Sequence, residues 1–232
     1  MRIAALYDVH GNLPALEAVL RELEGEHVDE VVFGGDLTWG PQPHETLGLV
    51  LSVEGARFVR GNADRDPDDW ERSCLSDEEI AFLQGQPPTV EVDGILFCHA
   101  TPRSDDEVVT PATTDERLAE ILAGVEQRVV VAGHTHMQQN RVVDTIRWVN
   151  AGSVGLPYEG EVAAFWALLV DGDPELRKTP LDGDRVAEVF RQSRWPRAAE
   201  ILRERVLRPA TREEATRVLE GRASAIFVTP GD

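Results

Sequence analysis

The stretch Val129-Val130-Val131-Ala132-Gly133-His134-Thr135-His136 decides how the chain reads, because four apolar residues run straight into two imidazoles. Such a run, closed by a glycine, is a buried strand. The histidines lie two residues apart, and on extended backbone leaving the strand they would project to one side, which is a metal-ligand spacing. Alone, the pair would describe two solvated loop histidines. Four more strand-like runs that end in a ligand-type residue remove that reading.

Residues 2–7 form the first such run, followed by Asp8-Val9-His10-Gly11-Asn12. Leu16, Val19, Leu20 and Leu23 then fall at helical spacing, with Pro14 in the first turn, where a missing N–H costs nothing. The unit repeats: strand 30–33, a loop holding Asp36, helix 43–51, then strand 56–59 leading to Gly61-Asn62-Ala63-Asp64. Alternating strands and helices imply a largely parallel sheet covered on both faces, with ligands at the carboxyl ends of its strands. Residues 65–76 read as a polar loop and 76–84 as a capped helix. Strands 89–92 and 95–98 form a hairpin around Asp93-Gly94 that ends in His99.

An acidic loop at 101–114 is expected as a rim over the site, followed by a short helix from Asp115. Hairpins at 141–149 and 162–180 turn the second half into a meander, which predicts a second, mixed or antiparallel sheet packed on the first. From Gly183 the pattern is helical, broken near Pro196 and Pro209. The expected organisation is therefore a core at 1–182 and a C-terminal helical extension at 183–232 within one structural domain. The extension holds 10 arginines and 7 acids between 183 and 222. Its Val186, Phe190, Ile201, Leu202, Val206 and Leu219 stripe is expected to pack on the body. A homo-oligomer contact between basic helices and an acidic body is the alternative.

The 232 residues carry a formal charge of −19, from 42 acids against 23 bases. That field repels nucleic-acid backbone and anionic membrane. An anionic small substrate then needs a local positive source, such as a divalent cation. Cys74 and Cys98 make no disulfide framework, and no apolar stretch is long enough for a membrane span. The cytoplasm is the expected compartment.

The assembled candidates are Asp8, His10, Asp36, Asn62, His99, His134 and His136, which include four of the six histidines. A closed tetrahedral site needs four ligands, so seven suit two ions sharing Asp36. Nitrogen and oxygen donors without thiolate suit manganese, iron or zinc. Cys98 faces the other side of its strand, toward the core.

Asp8-Val9-His10, Gly35-Asp36, Gly61-Asn62-Ala63-Asp64, His99 and Gly133-His134-Thr135-His136, in this order at strand ends, resemble the calcineurin-like metallophosphoesterase family over about residues 1–155. The last fifty residues hardly fit it. The resemblance implies an α/β protein, a four-layer α/β/β/α sandwich of two mixed sheets flanked by helices. It also implies two divalent transition-metal ions, with Asp8, His10 and His136 on the first, Asn62, His99 and His134 on the second, and Asp36 on both. A hydroxide bridging the ions would attack the phosphoester, with Asn62 at the site and His10 and Asp64 orienting water or leaving group.

Ala63 departs from the many members that hold a histidine after this asparagine, and no Asp-Arg pair follows Gly35. These departures point away from protein phosphatases and toward the small bacterial and archaeal phosphodiesterase-like branch. General-acid catalysis is worth ~10²–10⁴-fold, so good leaving groups are favoured unless another residue such as His10 supplies the proton. Arg65, Arg103 and Ser153 are the candidate substrate contacts, with His44 a further one, and backbone N–H groups of 150–155 could hold an anion.

The expected function is a dinuclear metal-dependent phosphoesterase, a phosphodiesterase on a small or nucleotide-like substrate. A monoesterase or nucleoside-polyphosphate hydrolase is the variant within the class. A protein-binding scaffold of the same fold would have lost ligands, and none is missing; a nuclease is opposed by the charge of −19.

Overall fold

The computed structural model describes the backbone of residues 1–226 and the side chains of residues 1–221. Residues 227–232 of the expected extension lie outside the described residues. Strands β1 (Arg2–Leu6) and β9 (Ala163–Val170) are buried along almost their whole length, the pattern of strands covered on both faces. They are neighbours in a five-stranded sheet of order β10-β9-β1-β2-β3, with β2 at Glu30–Phe33, β3 at Arg57–Phe58 and β10 at Asp173–Pro180. β1, β2 and β3 run parallel, while β9 lies antiparallel to β1 with Leu168 opposite Ala4.

The 162–180 hairpin therefore joins the first sheet, not the second as expected. The reason is visible in β9 itself. A one-sided meander strand would alternate, whereas Ala163-Ala164-Phe165-Trp166-Ala167-Leu168-Leu169 is buried throughout and needs cover on both faces.

The second sheet has the order β4-β5-β6-β8-β7, from β4 (Thr89–Val92), β5 (Ile95–Cys98), β6 (Val129–Ala132), β7 (Gln139–Val143) and β8 (Ile146–Asn150). It is mixed: β5, β6 and β8 are parallel, and both edges are antiparallel. Ile3, Ala5 and Tyr7 of the first sheet pack against Phe97, Val131 and Val149 of the second. The Tyr7 hydroxyl crosses the gap to donate to the Val131 carbonyl at 2.9 Å. Burying each such side chain is worth about 1.5–3 kcal/mol, so this layer holds the sheets together.

Helices α1 (Leu13–Glu26) and α2 (Pro43–Leu51), with Leu83 from the later helix Asp77–Gln84, cover the first sheet through Leu16, Val19 and Leu47. The second sheet is covered by Leu118 and Ile121 of Asp115–Ile121, over Cys98, Val130 and Trp148. The result is the four-layer α/β/β/α sandwich.

Two local differences from the sequence reading matter. Asn62–Arg65 is a short helix, α3, and the loop expected after it contains α4 (Asp69–Cys74). Asp68 caps Glu71 N–H while Glu71 caps Asp68 N–H, a reciprocal box written in the sequence as Asp68-x-x-Glu71. The later helices are α5 (Asp77–Gln84), α6 (Asp115–Ile121), α7 (Gly183–Gln192) and α8 (Ala198–Ile201). α8 runs into a π-helical turn at Leu202–Val206, and α9 spans Arg212–Ile226. Val186, Phe190, Ile201, Leu202 and Val206 are buried with Leu156 and Trp195, against Trp39 and Trp70 of the body. Leu219 of the expected stripe instead lines a cleft.

Candidate metal centre

The loops leaving β1, β2, β3, β5 and β6 meet at one end of the sandwich. Asp8, His10, Asp36, His134 and His136 all have positive φ, between 52° and 64°. The other non-glycine residues of this kind among the described ones are His27 at a helix end and Asp93, Asp144 and Asp171 in hairpin turns. Left-handed backbone at a bulky residue costs on the order of 1 kcal/mol or more and persists only where the surroundings over-determine it.

This corrects the extended backbone expected for His134 and His136. The two imidazoles do not stand on one side of a strand. The His136 ring lies 4.9 Å from that of His10, and the His134 ring 5.2 Å from that of His99.

Backbone contacts fix the left-handed turns. Asp8 N–H donates to the Gly35 carbonyl and His10 N–H to the Asp36 carbonyl, both at 3.0 Å. The Asp8 carbonyl accepts from Gly155 N–H at 3.0 Å and from the Ser153 hydroxyl at 2.8 Å. Asp64 accepts from Asp36, Leu37 and Gly61 N–H at 2.7, 3.0 and 2.9 Å. Glycine is required where backbone approaches these carboxylates: a Cβ on Gly61 would lie 2.2 Å from Asp36 Oδ1, and one on Gly133 2.5 Å from Asp8 Oδ2.

The donor atoms form two converging sets, Asp8–His10–His136 and Asp8–Asp36–His99, all buried. His136 Nδ1 sits 2.6 Å from the Leu156 carbonyl and so carries its proton there, which leaves Nε2 with a bare lone pair. That nitrogen faces Asp8 Oδ1 at 3.2 Å and His10 Nε2 at 3.1 Å. His99 repeats the arrangement. Its Nδ1 lies 2.8 Å from the Gly34 carbonyl, and its Nε2 faces Asn62 Oδ1 at 3.1 Å, Asp36 Oδ2 at 3.6 Å and Asp8 Oδ1 at 3.9 Å.

Asp8 Oδ1 is buried with no hydrogen-bond partner among the described residues. Lone pairs pointed at one another without a proton between them repel, and a cation removes the conflict. The residues present therefore fit divalent metal.

The electrostatics agree. Burial pushes the His10 and His134 imidazoles down to about 3, so both stay neutral with lone pairs available. Burial would raise Asp8, but His136, His99 and His10 outweigh it and hold the carboxyl well below the usual range. Asp36 is raised, chiefly by burial, with the neighbouring Asp64 and Asp8 charges adding to it against His99. Burial lowers His99, yet Asp36 and Asp8 more than reverse it, so the same carboxylates that attract a proton attract any cation.

The remaining candidates are placed as follows. Arg65 is ion-paired with Asp105, and Arg103 Nε donates to Glu107 at 2.8 Å, so both clasp the rim loop. That loop reaches the site through Asp106, whose Oδ1 is 3.8 Å from His134 Nε2. Ser153 is fully buried and braces Asp8, so its hydroxyl does not face a substrate. The N–H groups of Ala151, Gly152, Val154 and Gly155 donate within the protein, so the 150–155 loop offers no two adjacent free N–H groups to an anion. His44 is exposed beside Glu79 at 2.8 Å.

Sequence reasoning missed three neighbours. Tyr158 stacks on His136 at 4.8 Å, Trp39 meets His10 edge-on at 5.4 Å, and Glu71 is buried against the Thr38 hydroxyl at 2.7 Å. The Asp68-x-x-Glu71 spacing was a signal for the last; nothing in local pattern marked the aromatics.

Convergent carboxylates and bare imidazoles at the strand ends of an α/β sandwich define a metal-binding protein. The chain belongs to the calcineurin-like phosphoesterase superfamily, whose domain model matches residues 1–173. A metallophosphoesterase from Sphaerobacter thermophilus superposes with a TM-score of 0.76 at 23% identity, covering 90% of this chain and 99% of that one. A hypothetical protein from Pyrococcus horikoshii gives 0.73 at 19% identity, with 87% and 97% covered. An uncharacterised protein of Methanocaldococcus jannaschii is 24% identical, with 84% of this chain and 93% of that protein covered. These likenesses extend the shared fold past the matched domain into the C-terminal helices. No helix among the described residues is long and apolar enough to cross a membrane.

Proposed function

We propose that the chain is a phosphodiesterase that acts on a small phosphoester with two divalent transition-metal ions. The observation that carries this reading is the pair of donor sets that share Asp8, with Asp36 Oδ2 3.6 Å from His99 Nε2 and 4.0 Å from His10 Nε2, and with His136 and His99 each turned by a backbone carbonyl at Nδ1 so that Nε2 faces the carboxylates. Asp8, His10 and His136 would hold one ion and Asn62, His99 and His134 the other, with Asp36 reaching both. Manganese, iron or zinc bound there supplies positive charge to phosphoryl oxygens and lowers the pKa of a water.

The chain's own residues prepare that chemistry. Asp64 is a positioning residue, because its carboxylate gathers three backbone N–H groups and so aims Asp36. Leu156 and Gly34 fix the tautomers of His136 and His99 through their carbonyls. Ala63 donates its N–H to Asp36 Oδ1 at 2.8 Å and offers no proton from its side chain. Diesters with good leaving groups are therefore the favoured substrates. The net charge of −19 disfavours nucleic-acid polymers and leaves small phosphoesters.

The test is hydrolysis of bis(p-nitrophenyl) phosphate by manganese-loaded protein. Turnover that is absent from metal-free protein and from Asp36→Asn supports the reading. Protein that holds two ions yet leaves the diester intact, or an Asp36→Asn variant as active as wild type, overturns it.

A further inference from the structure

The acidity of the chain breaks beside the metal cluster. Between the π-helical turn and α9 lies a cleft of about 530 Å³ whose wall carries Arg203, Arg205, Arg208 and Arg217, a volume within the range of small-molecule sites. Glu204 and Glu214 also face it, Glu204 2.8 Å from Arg203 and Glu214 3.7 Å from Arg208. Arg205 and Arg217 have no ion-pair partner among the described residues. Glu200 acts on Arg205 and Glu214 on Arg217 only through space, so in a chain with 42 acids and 23 bases these two arginines keep N–H donors for an anion on a concave wall.

The cleft adjoins the metal ligands through one side chain. The Arg205 guanidinium carbon lies 4.6 Å from the centroid of the Tyr158 ring, and the same ring stacks on His136 with an interplanar angle of 24°. Tyr158 N–H donates to the His136 carbonyl at 3.1 Å, which ties the cleft's near wall to the loop of the candidate metal ligand. Ala210, Ala215, Val218 and Leu219 complete the lining and suit the organic part of a ligand.

We infer that this cleft is a second anion subsite, which selects organic phosphoesters carrying a further phosphate beyond the one placed at the metal cluster. The inference rests on the phosphodiesterase reading and narrows its substrate class. The near end of the substrate sits against Tyr158, while Arg205 and Arg217 grip the distal phosphate and the apolar lining takes the carbon skeleton between them.

The test compares two esters of one alcohol on manganese-loaded protein: thymidine 5′-(p-nitrophenyl phosphate) with and without a 3′-phosphate. The 3′-phosphate should lower KM by about ten-fold in wild type, as two charge-assisted contacts allow. An Arg205→Ala/Arg217→Ala double variant should lose that preference, and Arg194→Ala, on the same extension outside the cleft, should keep it. Equal KM for the two esters in wild type, or a preference that survives the double variant, overturns the subsite.

If neither ester is hydrolysed, the phosphodiesterase reading fails, and calorimetry of inorganic pyrophosphate with metal-free protein decides the subsite separately. Binding that weakens about ten-fold in Arg217→Ala, an exposed helical position, supports it. Absent binding, or binding indifferent to that change, overturns it.

Discussion

The metal cluster and the arginine-lined cleft lie on the two sides of Tyr158's contacts and are built by opposite means. The cluster uses short, mostly buried side chains, five of its seven on left-handed backbone, braced by hydrogen bonds between neighbouring loops. The cleft uses long side chains, with Arg203 and Arg208 largely exposed, carried on a π-helical turn and a helix. The difference teaches a division of labour. The cluster's polar atoms are over-determined by their neighbours, whereas the exposed guanidinium groups of Arg203 and Arg208 extend on long stems into solvent.

Substitutions should separate the two regions, with effects that shrink away from the cluster. Asp36→Asn removes a carboxylate charge that lies 3.6 Å from His99 Nε2 and 4.0 Å from His10 Nε2, and kcat/KM on an aryl diester should fall about 10³-fold, or about 4 kcal/mol. A fall confined to KM would instead mark Asp36 as a substrate contact and merge the two regions.

Glu71 tests how far the buried character extends behind the cluster. Burial raises its carboxyl from 4.5 to about 7. A group raised in the folded state contributes stability that is complete below the unfolded value, about pH 4.5, and is lost as pH rises through about 7. Glu71→Gln should abolish that loss. The stability difference between wild type and variant, from denaturant midpoints, should then change by on the order of 3 kcal/mol across this window. A difference flat with pH would show that water reaches Glu71.

Two glycines give a matched pair. Gly61→Ala drives a Cβ into Asp36 Oδ1, and manganese affinity measured by calorimetry should fall ~10–100-fold, the usual cost of disturbing a ligand's support. Gly221→Ala on α9 meets nothing within 4 Å, and its only effect should be a stability gain of about 0.5–1 kcal/mol from helix propensity, read as a higher Tm. Equal metal affinity in Gly61→Ala would show that the loop at Asp36 is looser than its packing implies.

The same contrast explains what could be read from the sequence. The cluster was legible because each of its seven residues lies within four residues of the end of a strand, and strand ends in such folds converge. Its left-handed backbone was not, since Asp8 or His136 carries no local signal that tertiary hydrogen bonds will impose positive φ. The placement of β9 was misjudged because it was paired by its hairpin partner rather than by its unbroken apolar run.

Ser153 and Asp64 were recognised as part of the site, yet each points into the protein to brace a loop, a role that side-chain type alone does not reveal. The cleft was illegible for a different reason. Its arginines come from two segments joined across Pro209, and only the packing of those segments beside Tyr158 makes them a wall.

Metal content of manganese-reconstituted protein, counted by elemental analysis against protein concentration, tests the central claim most directly. Two ions per chain in wild type, and at most one in Asp36→Asn, is the result expected of two donor sets that meet at Asp8 with Asp36 reaching both proposed ions. A single ion in wild type, or the same count in both proteins, would contradict it.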